Sequence, residues 1–237
     1  MNLLLVFNGF MIAAAKQIPL SMDTNLYIPP SKSDIRSPCP GFNTMANHGF
    51  FPRSGSEIMP DKIMEVFESV YGLDPAVTKQ LVEKAFQAGI GSPETGIRLD
   101  QLRTHNAIEH DASLVHDDAF FGPNYIINQT LVNQLLNLSA DGNVYTIGDF
   151  GKIRKLRYEQ SLANNPEFDF GFNRQATAFA EAAVLVAVFG NGNEVPLEYL
   201  SSFLGKEKLP EGFKRRDTNI GLWETGWIAF KIKLASR

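Results

Sequence analysis

The sequence is sparing with the residues that most often announce a chemistry. Cys39 is the single cysteine of the 237-residue chain. One thiol makes no intramolecular disulfide and no multi-cysteine zinc site, so stability must come from a core or a bound group. The four histidines (His48, His105, His110, His116) form no H-E-x-x-H pattern, which removes the usual helical zinc-hydrolase site. Lys and Arg number 22 against 26 Asp and Glu, a net charge of −4. The basic footprint of a nucleic-acid binder is therefore missing. No apolar run reaches the roughly 20 residues that a spanning helix needs, so no stable membrane anchor is expected. Internal repeats and low-complexity tracts are also absent.

What remains is a soluble, globular composition, 44% hydrophobic and 20% charged. Phenylalanine is plentiful, at 18 against 6 tyrosines and 2 tryptophans. Such a chain can line an apolar pocket, although ordinary core packing accounts for the same count. The opening "MNLLLVFNGFMIAAAKQ" is apolar from Leu3 to Ala15 apart from Asn8 and Gly9. It is too short to span a bilayer, and Ala13 and Ala15 form an A-x-A ending. It reads as a secretory signal over 1–15, without the usual basic start, leaving one domain over 16–237. Sequons at Asn128 ("NQT") and Asn137 ("NLS") agree with a secreted glycoprotein.

Helical signals dominate after a proline-rich arm that ends at Cys39. "PDKIMEVFESVYG" spaces Ile63, Val66, Phe67 and Val70 for one face and stops at Gly72. "DPAVTKQLVEKAFQAG" has an Asp cap, Pro75 at the first helical position and a glycine stop. Further helices are predicted in "LDQLRTHNAIEHDASL", "NYIINQTLVNQLLNL", "TIGDFGKIRKLRYEQSLANN", "FNRQATAFAEAAVLVAVFG" and "PLEYLSSFLG", and from Trp223 to Leu234. Only "GNVYTIG" alternates in the manner of a strand. The expectation is an all-α, single compact multi-helix domain.

Three stretches carry the chemistry. In "RSPCPGFNTMANHGFFPRSG", Pro40 places Cys39 at the N-cap of a short helix. Free backbone N–H groups and the positive helix end there favour thiolate over thiol. Taken alone, a cysteine that merely packs explains the position as well. In "HNAIEHDASL", Glu109, His110, Asp111 and Ser113 crowd together with oxygens suited to a hard cation. Glu109 and Ser113, four apart, share a face if the segment is helical; a solvated charged turn is the alternative. In "NRQATAFAEAAVLVAVFG", Glu181 is the lone carboxylate of an otherwise apolar helix, so it is expected to be buried or to line a cavity. Its partner is either Arg174, two turns earlier, or His110.

In this order the three stretches resemble the fungal haem-thiolate peroxidases, the chloroperoxidases and unspecific peroxygenases. "RYEQSLANNPEFDF" also resembles their intervening segment, and the E-H-D form matches the short branch. The resemblance implies a chloroperoxidase-like helical domain enclosing haem b, with Cys39 as the axial thiolate. It implies a structural magnesium held by Glu109, the His110 carbonyl and Ser113. Glu181 would be the acid–base catalyst for hydrogen peroxide, assisted by His110, which Asp111 would orient; Arg174 sits at the spacing that the long branch uses. Ile108, Thr177, Ala178, Val184 and Leu185 are expected to line the pocket. The activity implied is a secreted peroxygenase that inserts oxygen into small aromatic or aliphatic substrates, with peroxidase side activity. A halogenating enzyme and a non-catalytic haem carrier or sensor are the alternatives. With its only thiol on iron, the chain is expected to be a monomer or a non-covalent dimer.

Overall fold

A computed structural model describes residues 24–237, so the signal-like 1–15 segment lies outside the described residues. The described chain is mostly helical: α1 (Pro40–Asn47), α2 (Pro60–Val66), α3 (Pro75–Gln87), α4 (Gln129–Leu136), α5 (Ile147–Asn164), α6 (Phe172–Phe189), α7 (Leu197–Lys206) and α8 (Leu222–Ala235). Strands β1 (Val144–Thr146) and β2 (Glu194–Pro196) pair antiparallel, Tyr145 opposite Val195, and set up the starts of α5 and α7. The strand-like "GNVYTIG" is thus one half of a clip whose other half carried no alternation. No helix among the described residues is long and apolar enough to cross a membrane.

The helix ends follow the caps. Pro40, Pro60 and Pro75 each open a helix, and Asp74 accepts from the Ala76 N–H. Thr146 and Asp149 form a reciprocal capping box on α5. Asn128 caps α4 with its carbonyl oxygen while its amide nitrogen donates to Asp117 at 2.9 and 3.0 Å. That nitrogen is where a glycan would attach, so Asn137, exposed at the other end of α4, is the freer of the two sequons.

The phenylalanines serve mainly as core. Phe51, Phe42, Phe67, Tyr71, Phe189 and Phe213 form a continuous run of ring contacts beneath α1, with centroids 5.0 to 6.3 Å apart. Helix α8 lies across α6 and α5. The approach to α5 is close enough that a Cβ on Gly151 would meet the Ala235 backbone at 2.5 Å. Helices α1, α5 and α6 bring the three chemical stretches together.

One predicted helix is not formed. "LDQLRTHNAIEHDASL" holds only a 3-10 turn, Leu99–Arg103, and then runs irregularly. Asn106 and Ala112 adopt left-handed backbone, with φ of 64° and 58°. For a buried alanine this costs about 1 kcal/mol and persists only where the surroundings impose it. Asp118 accepts the Ala112 N–H at 2.7 Å, and the Arg154 guanidinium binds the Ala112 carbonyl. Glu109 and Ser113 therefore do not share a helical face.

Candidate active site

Cys39 caps α1 from extended backbone, with φ −91° and ψ 109°. Its side chain is half-buried and makes no capping hydrogen bond. Burial is the largest influence on the thiol, and it pushes the pKa up to about 11; the Phe42 and Gly41 N–H groups pull the other way, and Glu181 adds to the rise. The helix tip alone thus does not hold Cys39 as thiolate, contrary to the sequence expectation. A bound metal ion must replace the proton, as in any thiolate site that binding deprotonates. Gly41 keeps the sulfur open: a Cβ there would lie 3.7 Å from Sγ.

The turn around the sulfur is tightly held. Ser37 Oγ accepts from the Cys39 N–H at 3.1 Å, and Asn43 Oδ1 accepts from Ser37 N at 2.9 Å. Arg36 donates from Nε to Asn47 Oδ1 at 2.9 Å and from a terminal nitrogen to the Arg53 carbonyl at 2.9 Å. Tyr71 donates to the Gly41 carbonyl at 3.0 Å. His48, on the same helix, donates to Asn25 O and accepts from Leu209 N, which identifies it as a neutral structural histidine.

Glu181 and His110 form the second half of the site. His110 Nε2 lies 3.3 Å from Glu181 Oε2, without good hydrogen-bond alignment. The histidine is buried, whereas the glutamate side chain is 51% exposed. Both the sequence alternatives for Glu181, burial and cavity lining, are decided by that exposure: it faces open space. Removal from water acts to raise its pKa; His110's charge and hydrogen-bonding, with Arg154 and His116 behind it, outweigh that and hold the carboxyl below its usual range. Burial lowers the His110 pKa, but Glu181 and the Asp111 carbonyl turn the balance, so it is raised. The two shifts favour charge on both partners, each group stabilising the other.

Asp111 orients His110 through its backbone. His110 Nδ1 donates to the Asp111 carbonyl at 2.6 Å, and the Asp111 carboxylate instead accepts from Asp169 N at 3.3 Å. Arg174 pairs with Asp169 at 3.0 Å rather than with Glu181. On α6, Thr177 and Val184 are partly exposed beside Glu181, while Ala178 and Leu185 are 0% and 6% exposed and turn into the core. Ile108 is partly buried against the core. Phe170 meets the His110 ring edge-on at 5.5 Å and continues to Phe168 at 5.7 Å, an aromatic wall.

Glu109 accepts from His105 Nδ1 at 2.8 Å, and Ser113 Oγ lies 3.4 Å from His116 Nδ1. Among the described residues no three His, Cys, Asp or Glu side chains form a metal-holding group. The expected magnesium set, one carboxylate, one carbonyl and one hydroxyl, is a different kind of site.

The donor chemistry fits a haem. A half-buried soft sulfur meets an iron's need for a thiolate. His116 Nε2 and one Arg154 guanidinium nitrogen are buried without hydrogen-bond partners. Arg154 and His116 act electrostatically on Glu181, so these unsatisfied atoms belong to the same site. A buried guanidinium nitrogen without a partner is a natural donor to a carboxylate of a bound group.

Sequence reasoning missed what holds the loop. Arg157 donates to Leu114 O at 3.0 Å and Leu131 O at 2.7 Å. Ser161 and Asn165 donate to the two oxygens of Asp118 at 3.0 and 3.1 Å. The polar residues of "RYEQSLANN" were the available signal, since they recur at helical spacing on one side of α5.

Replacing His110 with alanine is expected to move the acid limb of the peroxide-dependent pH profile upward. The limb reports the glutamate losing its ionised form, and His110 is what holds that carboxyl low. An unmoved limb in His110→Ala would show that the pair does not act as a unit.

Comparison with known proteins gives a consistent picture. The model of peroxidase family 2 matches residues 25–218. An aromatic peroxygenase of Coprinellus radians is 35% identical over 207 residues, covering 77% of this chain and 79% of the relative. An aromatic peroxygenase of Cyclocybe aegerita is 31% identical, covering 77% of this chain and 55% of the relative. A chloroperoxidase of Leptoxyphium fumago is 26% identical, covering 64% of this chain and 43% of the relative. The chain thus spans about half the length of the latter two.

Proposed function

Because the chain belongs to peroxidase family 2, the haem-thiolate peroxidases and peroxygenases, we propose that it is an extracellular peroxygenase that oxygenates small aromatic or aliphatic molecules with hydrogen peroxide. The observation that carries this reading is the His110–Glu181 pair, 3.3 Å apart, with a half-exposed carboxylate whose charge reaches Cys39. Bound haem b would supply peroxide cleavage and oxygen transfer, and Cys39 is the residue that would hold its iron.

The chain's own residues then have separable tasks. Glu181, held ionised by His110, would take one proton of hydrogen peroxide and hand it to the oxygen that departs as water, the other oxygen being the one that the haem would transfer. His110, fixed by the Asp111 carbonyl, holds the carboxyl's pKa down and keeps the carboxylate's aim. Thr177, Val184 and Phe170 bound the substrate space and exclude water from it. Arg154 is placed to meet a haem carboxylate. Glu109, the His110 carbonyl and Ser113 would hold magnesium beside it, with His105 giving up its bond to Glu109.

A halogenating enzyme on the same scaffold is the second reading, favoured by the chloroperoxidase likeness. A passive haem carrier has no use for a paired, solvent-facing glutamate. Aromatic oxidation with isotopically labelled peroxide separates these readings. Label in the phenol product is expected; chlorination of a simple diketone without labelled phenol would favour the halogenase. Turnover of neither would favour the carrier.

A further inference from the structure

Glu207 is the first residue beyond α7, and its left-handed backbone ends that helix, but nothing in that role requires a carboxylate or its burial. It adopts left-handed backbone with φ 49° and is 7% exposed. Glycine would take the same conformation without the steric cost, and a buried carboxylate carries a desolvation cost besides. The side chain is instead committed across the molecule. Its Oε1 accepts from Asn43 Nδ2 at 2.5 Å, and its backbone carbonyl accepts from Asn47 Nδ2 at 3.1 Å.

Asn43 is thereby fully used. Its two amide hydrogens go to Glu207 and to the Ser37 carbonyl at 2.7 Å; its oxygen accepts from Ser37 N and, at 3.0 Å, from Ser37 Oγ. Ser37 Oγ in turn accepts the Cys39 N–H at 3.1 Å. Ser37, Asn43 and Asn47 are all 0% exposed, so the relay is closed to water. Rotating the Asn43 amide would break four bonds; the Ser37 backbone fixes one side of it and the Glu207 carboxylate the other.

We propose that Glu207 is a positioning residue for Cys39, fixing the cysteine turn through Asn43 and Ser37 and setting, by its charge, the electron density that the sulfur gives to iron. This rests on Cys39 being the axial ligand. Glu207 lies within electrostatic reach of the sulfur, since its charge opposes the thiolate. Burial raises its pKa to about 7, against the pull of Asn43 and the Arg36 charge. The other groups around it are Arg36, Tyr27, whose hydroxyl donates to Lys206 O, Tyr71, the flanking Lys206 and Lys208, and His48, which accepts from Leu209 N. His48 Nε2 accepts the Leu209 N–H, which only the neutral ring can do, and burial lowers its pKa besides.

The test is the ferric–ferrous midpoint potential of the haem-loaded protein, from about pH 5.5 to about 8.5, around the Glu207 value of about 7. A negative charge near the sulfur favours ferric iron. The wild-type potential is therefore expected to fall as pH rises through neutrality. Glu207→Gln keeps an oxygen for Asn43 and drops the charge; it is expected to stay at the wild-type acid-side value, with little change in Tm. Glu207→Asp keeps the charge and is expected to retain the pH dependence. Parallel profiles in wild type and Glu207→Gln would overturn the proposal. If Glu207→Gln does not load haem, a wild-type potential without an inflection near neutrality overturns it just as well, and a present inflection that Glu207→Asp retains supports it. The carbon monoxide spectrum of the same wild-type sample reports axial ligation separately.

Discussion

Replacing Glu181 with glutamine is expected to leave haem uptake and the resting spectrum intact while peroxide-dependent turnover falls about 10²- to 10⁴-fold, the range that a positioned acid–base group supplies. The amide matches the carboxylate in shape, so packing on α6 is undisturbed. It cannot take a proton from peroxide near neutral pH. The paired histidine sharpens the expectation. With a neutral partner at 3.3 Å, His110 loses what raises its pKa and becomes a neutral, buried imidazole. It therefore does not stand in for the missing base. Undiminished turnover in Glu181→Gln, measured with the spectrum unchanged, would remove Glu181 from the chemistry and leave the His110 contact as a structural ion pair.

Replacing Cys39 with alanine is expected to abolish the thiolate signature and with it all peroxygenase turnover. The chain has no second cysteine, so no other thiolate takes the ligand's place. The surrounding turn should survive the change, because its bonds are made by Ser37, Asn43 and the Cys39 backbone rather than by the sulfur. Since the side chain makes no capping hydrogen bond, its loss from the α1 terminus is expected to cost no more than about 1 kcal/mol. A folded, haem-binding Cys39→Ala protein with an unchanged spectrum would refute axial ligation.

The sequence was legible where one local rule decides. Pro40 announced α1 and with it the cap position of Cys39, and the apolar run around Glu181 announced α6. His110 could be weighed against Arg174 as the glutamate's partner, because its imidazole had no other evident use. What the sequence could not show was long-range. The E-H-D-A-S stretch reads as helix by spacing, yet Asp118, six residues on, and Arg154, 42 residues on, hold Ala112 in left-handed backbone. That geometry hands the orientation of His110 to a carbonyl rather than to the Asp111 carboxylate. Periodicity marked Ala178 and Leu185 as pocket residues one turn from Glu181, but a helix face has two flanks and only packing tells which is open. Nothing in the sequence singles out Glu207, whose partner, Asn43, lies 164 residues away.

The same distinction applies to the sulfur itself. A helix terminus favours thiolate, and the sequence alone places Cys39 there. Burial, which the sequence does not display, pushes the thiol to about 11. In the proposed reading iron displaces the thiol proton on binding, and the spectrum of the loaded protein reads that displacement directly. The decisive measurement is the absorption spectrum of the reduced, haem-loaded protein under carbon monoxide. A Soret band at about 450 nm, the mark of an anionic sulfur opposite the gas, is the predicted result. A band at about 420 nm, or no haem uptake at all, would mean that Cys39 is not the iron's ligand and would contradict the assignment.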